Sequence, residues 1–401
     1  MGLSVERRQF LQVLGSATAI GLAGCLSEDD GDSGDDDTPE SDGLVYAFAP
    51  NTISIIDPEE GEIVEEITER IDDEITGGID DEGWGDPRIT HDHSQLFVIR
   101  ESPSQILVID TETREIAEEV DVGPGPTHMY HPTDDEIWAH ADDEGQFYVI
   151  DTESYDVTTV ESGLENEGHG KLLYHEDFGS KAYATNVNDP GVPVIDLEEY
   201  ERTDFIEFNG EEGTHYKAYS PQNGLAYFEF GDETVVVDTE TDEVVDRLEF
   251  AGGMYLTPDE QLLGVLDGDL VRFIDVTDDD HEEVDAVEVD GGPDALRYHE
   301  TDDGLYAITA NTMNDRAAVI DVEDGEVIDG LEIGDIVRPD GAPFLHRSGV
   351  IGDGYFVTPA DDDGIVAVVD VEELEVTHVE VEDGVDTVQY VGDSGVGYTG
   401  Q

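Results

Sequence analysis

Cysteine and basic residues are scarce in this chain of 401 residues, and each scarcity excludes a class of function. The single cysteine allows no disulfide, no thiolate metal site and no covalently attached c-type haem. Only 16 Lys and Arg residues stand against 103 Asp and Glu residues, which gives a formal net charge of −87. A charge of that sign repels nucleic acid phosphates and anionic lipid headgroups, so we expect neither as a partner.

The acidic residues are spread through the whole chain rather than gathered in one tail. A disordered acidic protein is not favoured, because 37% of the residues are apolar and they occur in regular short runs. Carboxylates distributed in this way are typical of proteins that fold in molar salt, which screens charges over about 3 Å. We therefore predict a halophilic protein with an acidic surface.

The N-terminal 43 residues are predicted to precede the folded domain. Residues 7–11 (RRQFL) resemble a twin-arginine export motif, and the apolar run that follows is too short to span a bilayer. Residues 22–25 (LAGC) resemble a lipobox, whose cysteine is lipidated after cleavage. These resemblances imply a signal peptide over 1–25 and a haloarchaeal lipoprotein, anchored through Cys25 to the outer face of the cell membrane. An acidic disordered tether follows over 26–43, and residues 44–401 form one domain.

That domain is built from eight short apolar runs, each ending in Asp and followed by an acidic turn. Their mean spacing of about 45 residues, with β-branched residues and no helical periodicity, indicates an all-β fold, a β-propeller with one blade of four antiparallel strands per repeat. We predict eight blades, with seven as the alternative. The runs end at Asp57, Asp110, Asp151, Asp196, Asp238, Asp275, Asp321 and Asp370.

The two ends of the domain predict how the ring of blades closes. Residues 44–46 begin the first blade as its second strand, so that blade lacks an inner strand of its own. Residues 386–391, near the C-terminus, have the pattern of an inner strand. We therefore expect the C-terminal strand to complete the first blade, which removes the open edge of the sheet.

The histidines fall into two groups once the blades are aligned. One group ends the inner strand, where we expect turn-capping hydrogen bonds. Its members are His91, His131, His175 and His299. His93 and His140 stand alone and are predicted to be solvated.

The second group, His128, His169 and His215, begins the inner strand in three consecutive blades. The inner strands of a propeller begin at one mouth of its central channel, so these imidazoles are expected to lie together. Three imidazoles with an open fourth position suit zinc, and neutral imidazole also suits copper. The alternative is that each one binds only water. Asp294, at the equivalent position of a later blade, is a further candidate ligand or an acceptor that orients a His.

Three other residues are predicted at the same mouth: Arg88, Met254 and Asp340. Among them Arg88 argues against a site made only for cations, because a guanidinium suits an anion.

The order of features from His128 to Asp238 resembles that of the extracytoplasmic zinc-metallochaperone propellers, the AztD-like family. The shared features are a Pro-x-His inner strand, the His169-Gly170 pair with the long turn 186–194, and His215 in the next blade. The resemblance implies zinc at His128, His169 and His215, and transfer to the substrate-binding protein of a zinc ABC importer. Unlike that family, the loop over 68–85 is acidic and has no His. A looser resemblance, to exported propellers with Tyr-Val-x-Asn repeats, covers 44–401.

Common enzyme motifs are missing: there is no Gly-x-Ser-x-Gly, no His-Glu-x-x-His and no glycine-rich phosphate loop. The sequence thus predicts a monomeric, lipid-anchored metal chaperone that is not an enzyme and meets the membrane only through its lipid. A cofactor-free binding or scaffolding propeller at the cell surface is the alternative. An enzyme built on the channel, of the lactonase or denitrification type, is less favoured.

Overall fold

Eight four-stranded antiparallel sheets make up the structure, a computed structural model that describes residues 43–71, 83–160, 167–301, 304–338 and 345–392. Each sheet is one blade, so the prediction of eight blades is confirmed. The predicted signal peptide, Cys25 and nearly all of the tether lie outside the described residues, as does Asp340. No helix in the described part of the chain is long and apolar enough to cross a membrane.

The inner strands surround the central channel, and several contact each other directly, such as β4 with β8 and β16 with β20. In blade order the inner strands are β32 (Thr387–Val391), β4 (Trp84–Ile89), β8 (Pro126–Thr133), β12 (Leu172–Tyr174), β16 (Thr214–Ser220), β20 (Gly253–Leu256), β24 (Pro293–Thr301) and β28 (Val350–Gly352). The second strands are β1 (Leu44–Ala49), β5 (Gln95–Arg100), β9 (Glu136–Ala141), β13 (Lys181–Ala184), β17 (Leu225–Phe230), β21 (Leu262–Asp267), β25 (Gly304–Asn311) and β29 (Tyr355–Ala360).

The third and outer strands complete each blade. The third strands are β2 (Thr52–Asp57), β6 (Gln105–Asp110), β10 (Gln146–Asp151), β14 (Gly191–Asp196), β18 (Glu233–Asp238), β22 (Leu270–Asp275), β26 (Arg316–Asp321) and β30 (Ile365–Asp370). The outer strands are β3 (Glu62–Ile67), β7 (Glu115–Asp121), β11 (Val157–Thr159), β15 (Glu201–Glu207), β19 (Glu243–Leu248), β23 (Glu283–Glu288), β27 (Glu326–Glu332) and β31 (Glu375–Glu380). A short 3₁₀ helix over Glu176–Phe178 follows β12.

The repeated Asp closes every third strand because its side chain caps the turn to the outer strand. Asp110 Oδ1 accepts a hydrogen bond from the backbone N–H of Thr113 at 2.7 Å, and Asp321 Oδ1 accepts one from Asp324 at 2.9 Å. A short carboxylate that bonds the backbone two or three residues later favours a tight turn. The repeat found in the sequence is therefore a turn signal with a structural cause.

The hydrophobic core lies between neighbouring blades rather than within one. One buried cluster fills each interface between successive blades, as in the cluster that joins Phe97 and Ile106 of the second blade to Met129 and Ile137 of the third. The last cluster packs Val388 of β32 and Val45 of β1 against Val350 of the eighth blade. Antiparallel pairing of β32 with β1 closes the ring, as the sequence predicted.

Candidate metal centre

Three consecutive inner strands bring His128, His169 and His215 together at the channel mouth, the end at which the inner strands begin. Their candidate ligand atoms all lie within 4.8 Å of one another. The ring centroids of His128 and His169 are 4.4 Å apart, and those of His169 and His215 are 4.9 Å apart. The three residues that the sequence selected therefore form one cluster.

A carboxylate holds one ring nitrogen of each of the two closest histidines. His128 Nδ1 donates to Asp86 Oδ2 at 2.7 Å, and His169 Nδ1 donates to Asp142 Oδ2 at 2.7 Å. A carboxylate accepts only from a protonated ring nitrogen, so Nδ1 carries the proton in both rings. In the neutral imidazoles each Nε2 then has an available lone pair, the arrangement in which histidine binds a metal.

Those two Nε2 atoms face each other at a separation of 2.8 Å. Two lone pairs at this distance repel each other unless a proton or a cation lies beside both. His128 Nε2 also accepts a hydrogen bond from Lys171 Nζ at 3.0 Å, so a cation already lies on this nitrogen. The cluster is thus built to share positive charge between imidazole nitrogens.

Burial keeps two of the imidazoles neutral. It lowers the pKa of His128 well below its ordinary value, and the nearby charge of Lys171 lowers it further. Burial and Lys171 also lower the pKa of His215 in the same way. Neutral imidazole is the form that coordinates a metal, so protons do not compete for these nitrogens near neutral pH.

His215 completes the cluster with a buried ring nitrogen. Its Nε2 has no hydrogen-bond partner among the described residues, and its Nδ1 lies 3.8 Å from Glu229 Oε2. Glu229 is itself fixed by the backbone N–H of Tyr216, which donates to Oε2 at 3.2 Å. A buried polar atom without a partner costs free energy, and a bound ion would remove that cost.

Asp142 is the acceptor that organises this corner of the site. Its Oδ1 accepts from His140 Nδ1 at 2.8 Å and from Thr127 Oγ1 at 2.7 Å, while Oδ2 accepts from His169. Burial works to raise the pKa of Asp142, but the hydrogen bonds from His140 and His169 outweigh it and hold the pKa well below its ordinary value. Asp142 therefore stays ionised and keeps both imidazoles in one tautomer.

A glycine lets the chain pass closely over His140. A Cβ at Gly170 would lie 2.4 Å from the carbonyl oxygen of Thr185 and 2.9 Å from His140 Nε2. No side chain fits at these distances, so the His169-Gly170 pair in the sequence has a steric reason.

Sequence reasoning missed Asp86, Asp142, Lys171 and Glu229, and it was wrong about His140. His140 is not solvated: it is fully buried and bonded to Asp142. The three acids were hidden among the 103 Asp and Glu residues of the chain, and only one signal was available for Asp142, its place two residues after a His. Asp86 precedes Pro87 and Arg88 in the preceding blade, with no motif around it.

The structure does not bring Asp294 into the group of three histidines. Its Oδ2 accepts from His346 Nδ1 at 2.7 Å and from the backbone N–H of Arg347 at 2.9 Å. Asp294 therefore orients a histidine, which is the second role considered for it, but the histidine is His346. Arg88 is buried and donates to the hydroxyl of Tyr174 at 3.0 Å.

The histidines that end the inner strands make local contacts. His131 Nδ1 lies 2.9 Å from the carbonyl oxygen of Glu136, across the turn, and His175 Nδ1 accepts from the N–H of Asp177 at 3.2 Å. The turn-capping prediction is confirmed for these two. The rings of His91 and His131 are stacked, with centroids 3.8 Å apart.

No protein-family profile matches the chain, and no curated protein matches its sequence. Solved structures do match in fold. Dihydro-haem d1 dehydrogenase NirN in complex with DHE has a TM-score of 0.65 at 13% identity, over 89% of this chain and 75% of that one. Apo AztD from Citrobacter koseri has a TM-score of 0.64 at 14% identity, over 88% of this chain and 98% of that one. Hydrazine synthase from Kuenenia stuttgartiensis has a TM-score of 0.51 at 14% identity, over 75% and 95%.

The prediction that the chain is not an enzyme is wrong as an exclusion. NirN has the same fold and is a dehydrogenase by name, so a propeller of this kind is compatible with catalysis. The motifs whose absence supported the prediction belong to other folds and therefore do not test a propeller. At identities of 13–14%, the likenesses to NirN and AztD show what this chain shares with them, which is the β-propeller fold.

Proposed function

We propose that the protein binds a transition metal ion, zinc by preference, through His128, His169 and His215. The observation that carries the proposal is the 2.8 Å approach of His128 Nε2 to His169 Nε2, with both Nδ1 atoms held by carboxylates. So close an approach of two imidazole nitrogens requires a proton or a cation beside them, and an ion coordinated by both would fill that role with two bonds. It would also supply a partner for the buried Nε2 of His215.

Zinc fits this donor set better than the hard cations. Three neutral imidazoles with a fourth position left for water or an incoming ligand suit tetrahedral zinc, whereas calcium and magnesium require oxygen ligands. Copper also accepts imidazole and remains the second candidate. Asp86 and Asp142 would act behind the ligands, because a carboxylate on Nδ1 raises the basicity of the opposite nitrogen.

We further propose that the ion is cargo rather than a permanent cofactor. The site lies at a channel mouth, and the side chain of His169 is 31% exposed, so an acceptor can reach one ligand directly. The acceptor is proposed to be the substrate-binding protein of a metal ABC importer, which is supported by the sequence resemblance to zinc-metallochaperone propellers. Export and the lipid on Cys25 would place the chaperone beside such an importer.

Zinc titration calorimetry of the chelator-treated full chain, in molar salt, tests metal binding. We expect one saturable zinc site in the native protein and its loss in His169→Ala and His215→Ala. His378→Ala is the matched control, because His378 lies on the outer strand β31, where its Nε2 is 3.0 Å from the carbonyl oxygen of Glu332. Absence of zinc and copper binding, or equal binding by all four proteins, would contradict the proposal.

Transfer kinetics test the chaperone role separately. Zinc-loaded protein is mixed with a purified zinc-importer binding protein, and the transfer rate is followed as the acceptor concentration rises. Direct handover predicts a rate that increases with acceptor concentration. A rate that stays at the spontaneous dissociation rate of zinc would show release into solution and would refute the chaperone role while leaving the metal site intact.

A further inference from the structure

A cavity lies at the far end of the inner strands, away from the histidine cluster. His215 is the second residue of β16 and Tyr219 the sixth, and Tyr219 lines a cavity of about 700 Å³. At about 3.3 Å per residue, four residues separate the two sites by roughly 13 Å. The cavity is within the range of volumes that small organic ligands occupy.

Tyrosines from four consecutive blades form the wall of this cavity: Tyr174, Tyr219, Tyr255 and Tyr298. Three of their hydroxyls already have partners in the protein. Tyr174 OH accepts from Arg88, Tyr219 OH donates to Asp177 at 2.9 Å, and Tyr298 OH donates to the carbonyl of Tyr255 at 3.1 Å. With those hydroxyls engaged, the rings are the surfaces that remain for a ligand, and aromatic rings favour a planar, apolar partner.

Positive charge lies beside these rings. Arg297 lines the cavity, is 3% exposed, and places its guanidinium carbon 5.4 Å from the centroid of Tyr255. Arg88 is also buried, and it donates a hydrogen bond to the hydroxyl of Tyr174. Two of the chain's 16 basic residues are thus buried beside tyrosines of this cavity, in a protein with a net charge of −87.

The rim of the cavity carries negative charge. Asp134, Glu176 and Glu260 line its outer part, and the Asp134 side chain is 94% exposed. A ligand with negative charge at its outer end would meet these carboxylates. A ligand with one negative charge at its inner end would meet Arg297 and avoid the rim.

We propose that this cavity binds a small aromatic monocarboxylate, with its ring against the tyrosines and its carboxylate toward Arg297. This site is independent of the metal centre and goes beyond the proposed metal transport. A charge-assisted hydrogen bond to a buried guanidinium contributes about 1.5–3 kcal/mol, which corresponds to roughly a 10- to 150-fold difference in affinity between a carboxylate and its neutral analogue.

Benzoate, benzyl alcohol and phthalate are suitable probes of the full chain, with a metal chelator present so that the metal centre does not contribute. Binding is measured by calorimetry and ligand-observed NMR. We expect benzoate to bind at least about tenfold more tightly than benzyl alcohol, and phthalate, with its second charge, to bind more weakly than benzoate. Arg297→Gln should remove the preference for benzoate, while Leu256→Trp, which fills the cavity, should remove binding of both.

Val245→Ser, on an exposed outer-strand position, is the control and should bind benzoate as the native protein does. If Arg297→Gln does not fold, Leu256→Trp still decides, because Leu256 is only half-buried and its replacement leaves the guanidinium in place. No saturable benzoate binding, equal affinity for benzoate and benzyl alcohol, or unchanged binding by Leu256→Trp would each overturn the proposal.

Discussion

Replacing Asp142 by Asn tests the arrangement that prepares the histidines for a metal. The native carboxylate accepts hydrogen bonds from His140, His169 and Thr127 at 2.7–2.8 Å. An Asn side chain offers one acceptor oxygen and two N–H groups, so it cannot accept from both imidazoles in their present orientation. The expected consequence is that His169 loses either its tautomer or its position.

The size of the effect follows from two independent considerations. Loss of a charge-assisted hydrogen bond costs about 1.5–3 kcal/mol. Replacement of a carboxylate behind a metal-binding histidine lowers metal affinity by roughly 10- to 100-fold, which is about 1.4–2.7 kcal/mol. The two ranges overlap at a zinc dissociation constant between about 10 and 100 times that of the native protein.

Calorimetry of zinc binding to Asp142→Asn and Asp143→Asn provides the measurement and its control. Asp143 is the exposed neighbour, so its replacement removes the same charge and leaves the Asp142 carboxylate bonded to His140 and His169. If the two variants lose affinity equally, the effect of Asp142 is only its long-range charge. If Asp142→Asn binds zinc as the native protein does, the tautomer argument is wrong.

Three further predictions concern charges and ring closure. Lys171→Met should strengthen zinc binding by at least about tenfold in calorimetry, because Lys171 Nζ lies 3.0 Å from His128 Nε2 and repels an incoming cation. Weaker zinc binding by this variant would show that the amine assists metal binding instead. Burial, with the charges of Lys171 and Arg88, lowers the pKa of Lys217 to about 7. Between that pH and about 10.4 the unfolded chain holds a proton that the folded chain lacks, so stability rises with pH by up to about 1.4 kcal/mol per unit. Lys217→Met should flatten that rise in urea melts of the metal-free protein, and an unchanged slope would refute the assignment. Val388→Asp places a carboxylate in the fully buried interface that closes the ring, and it should lower the free energy of unfolding by about 3 kcal/mol or more. Val391→Asp, at the half-buried end of the same strand, should lower it far less. Similar melting temperatures for the two variants would contradict the closure.

The blade pattern was predictable because each repeat carries its own local signal. The Asp at the end of each third strand bonds the backbone of its own turn, so the interaction is encoded within four residues. Closure was also predictable, since a propeller domain that begins in a second strand must obtain an inner strand from another part of the chain. Neither inference needs any knowledge of distant contacts.

The histidine cluster was predictable for a different reason. The register of the blades assigns His128, His169 and His215 to the same end of three neighbouring strands, and the symmetry of a propeller brings that end to one place. The sequence therefore determined which imidazoles meet. It did not determine which of their nitrogens face each other.

Tertiary structure alone decided the acceptors and the competing charges. Asp86 reaches His128 from 42 residues away, and Lys171 reaches it from 43 residues away, so no local pattern marks either contact. Among 103 acidic residues, composition hides the few that are buried beside a histidine. The sequence by itself determined an eight-bladed ring and three histidines at one mouth of its channel. The packing between blades decided their tautomers, their charge and the tyrosine-lined cavity at the opposite end, because those depend on side chains from different blades meeting across the channel.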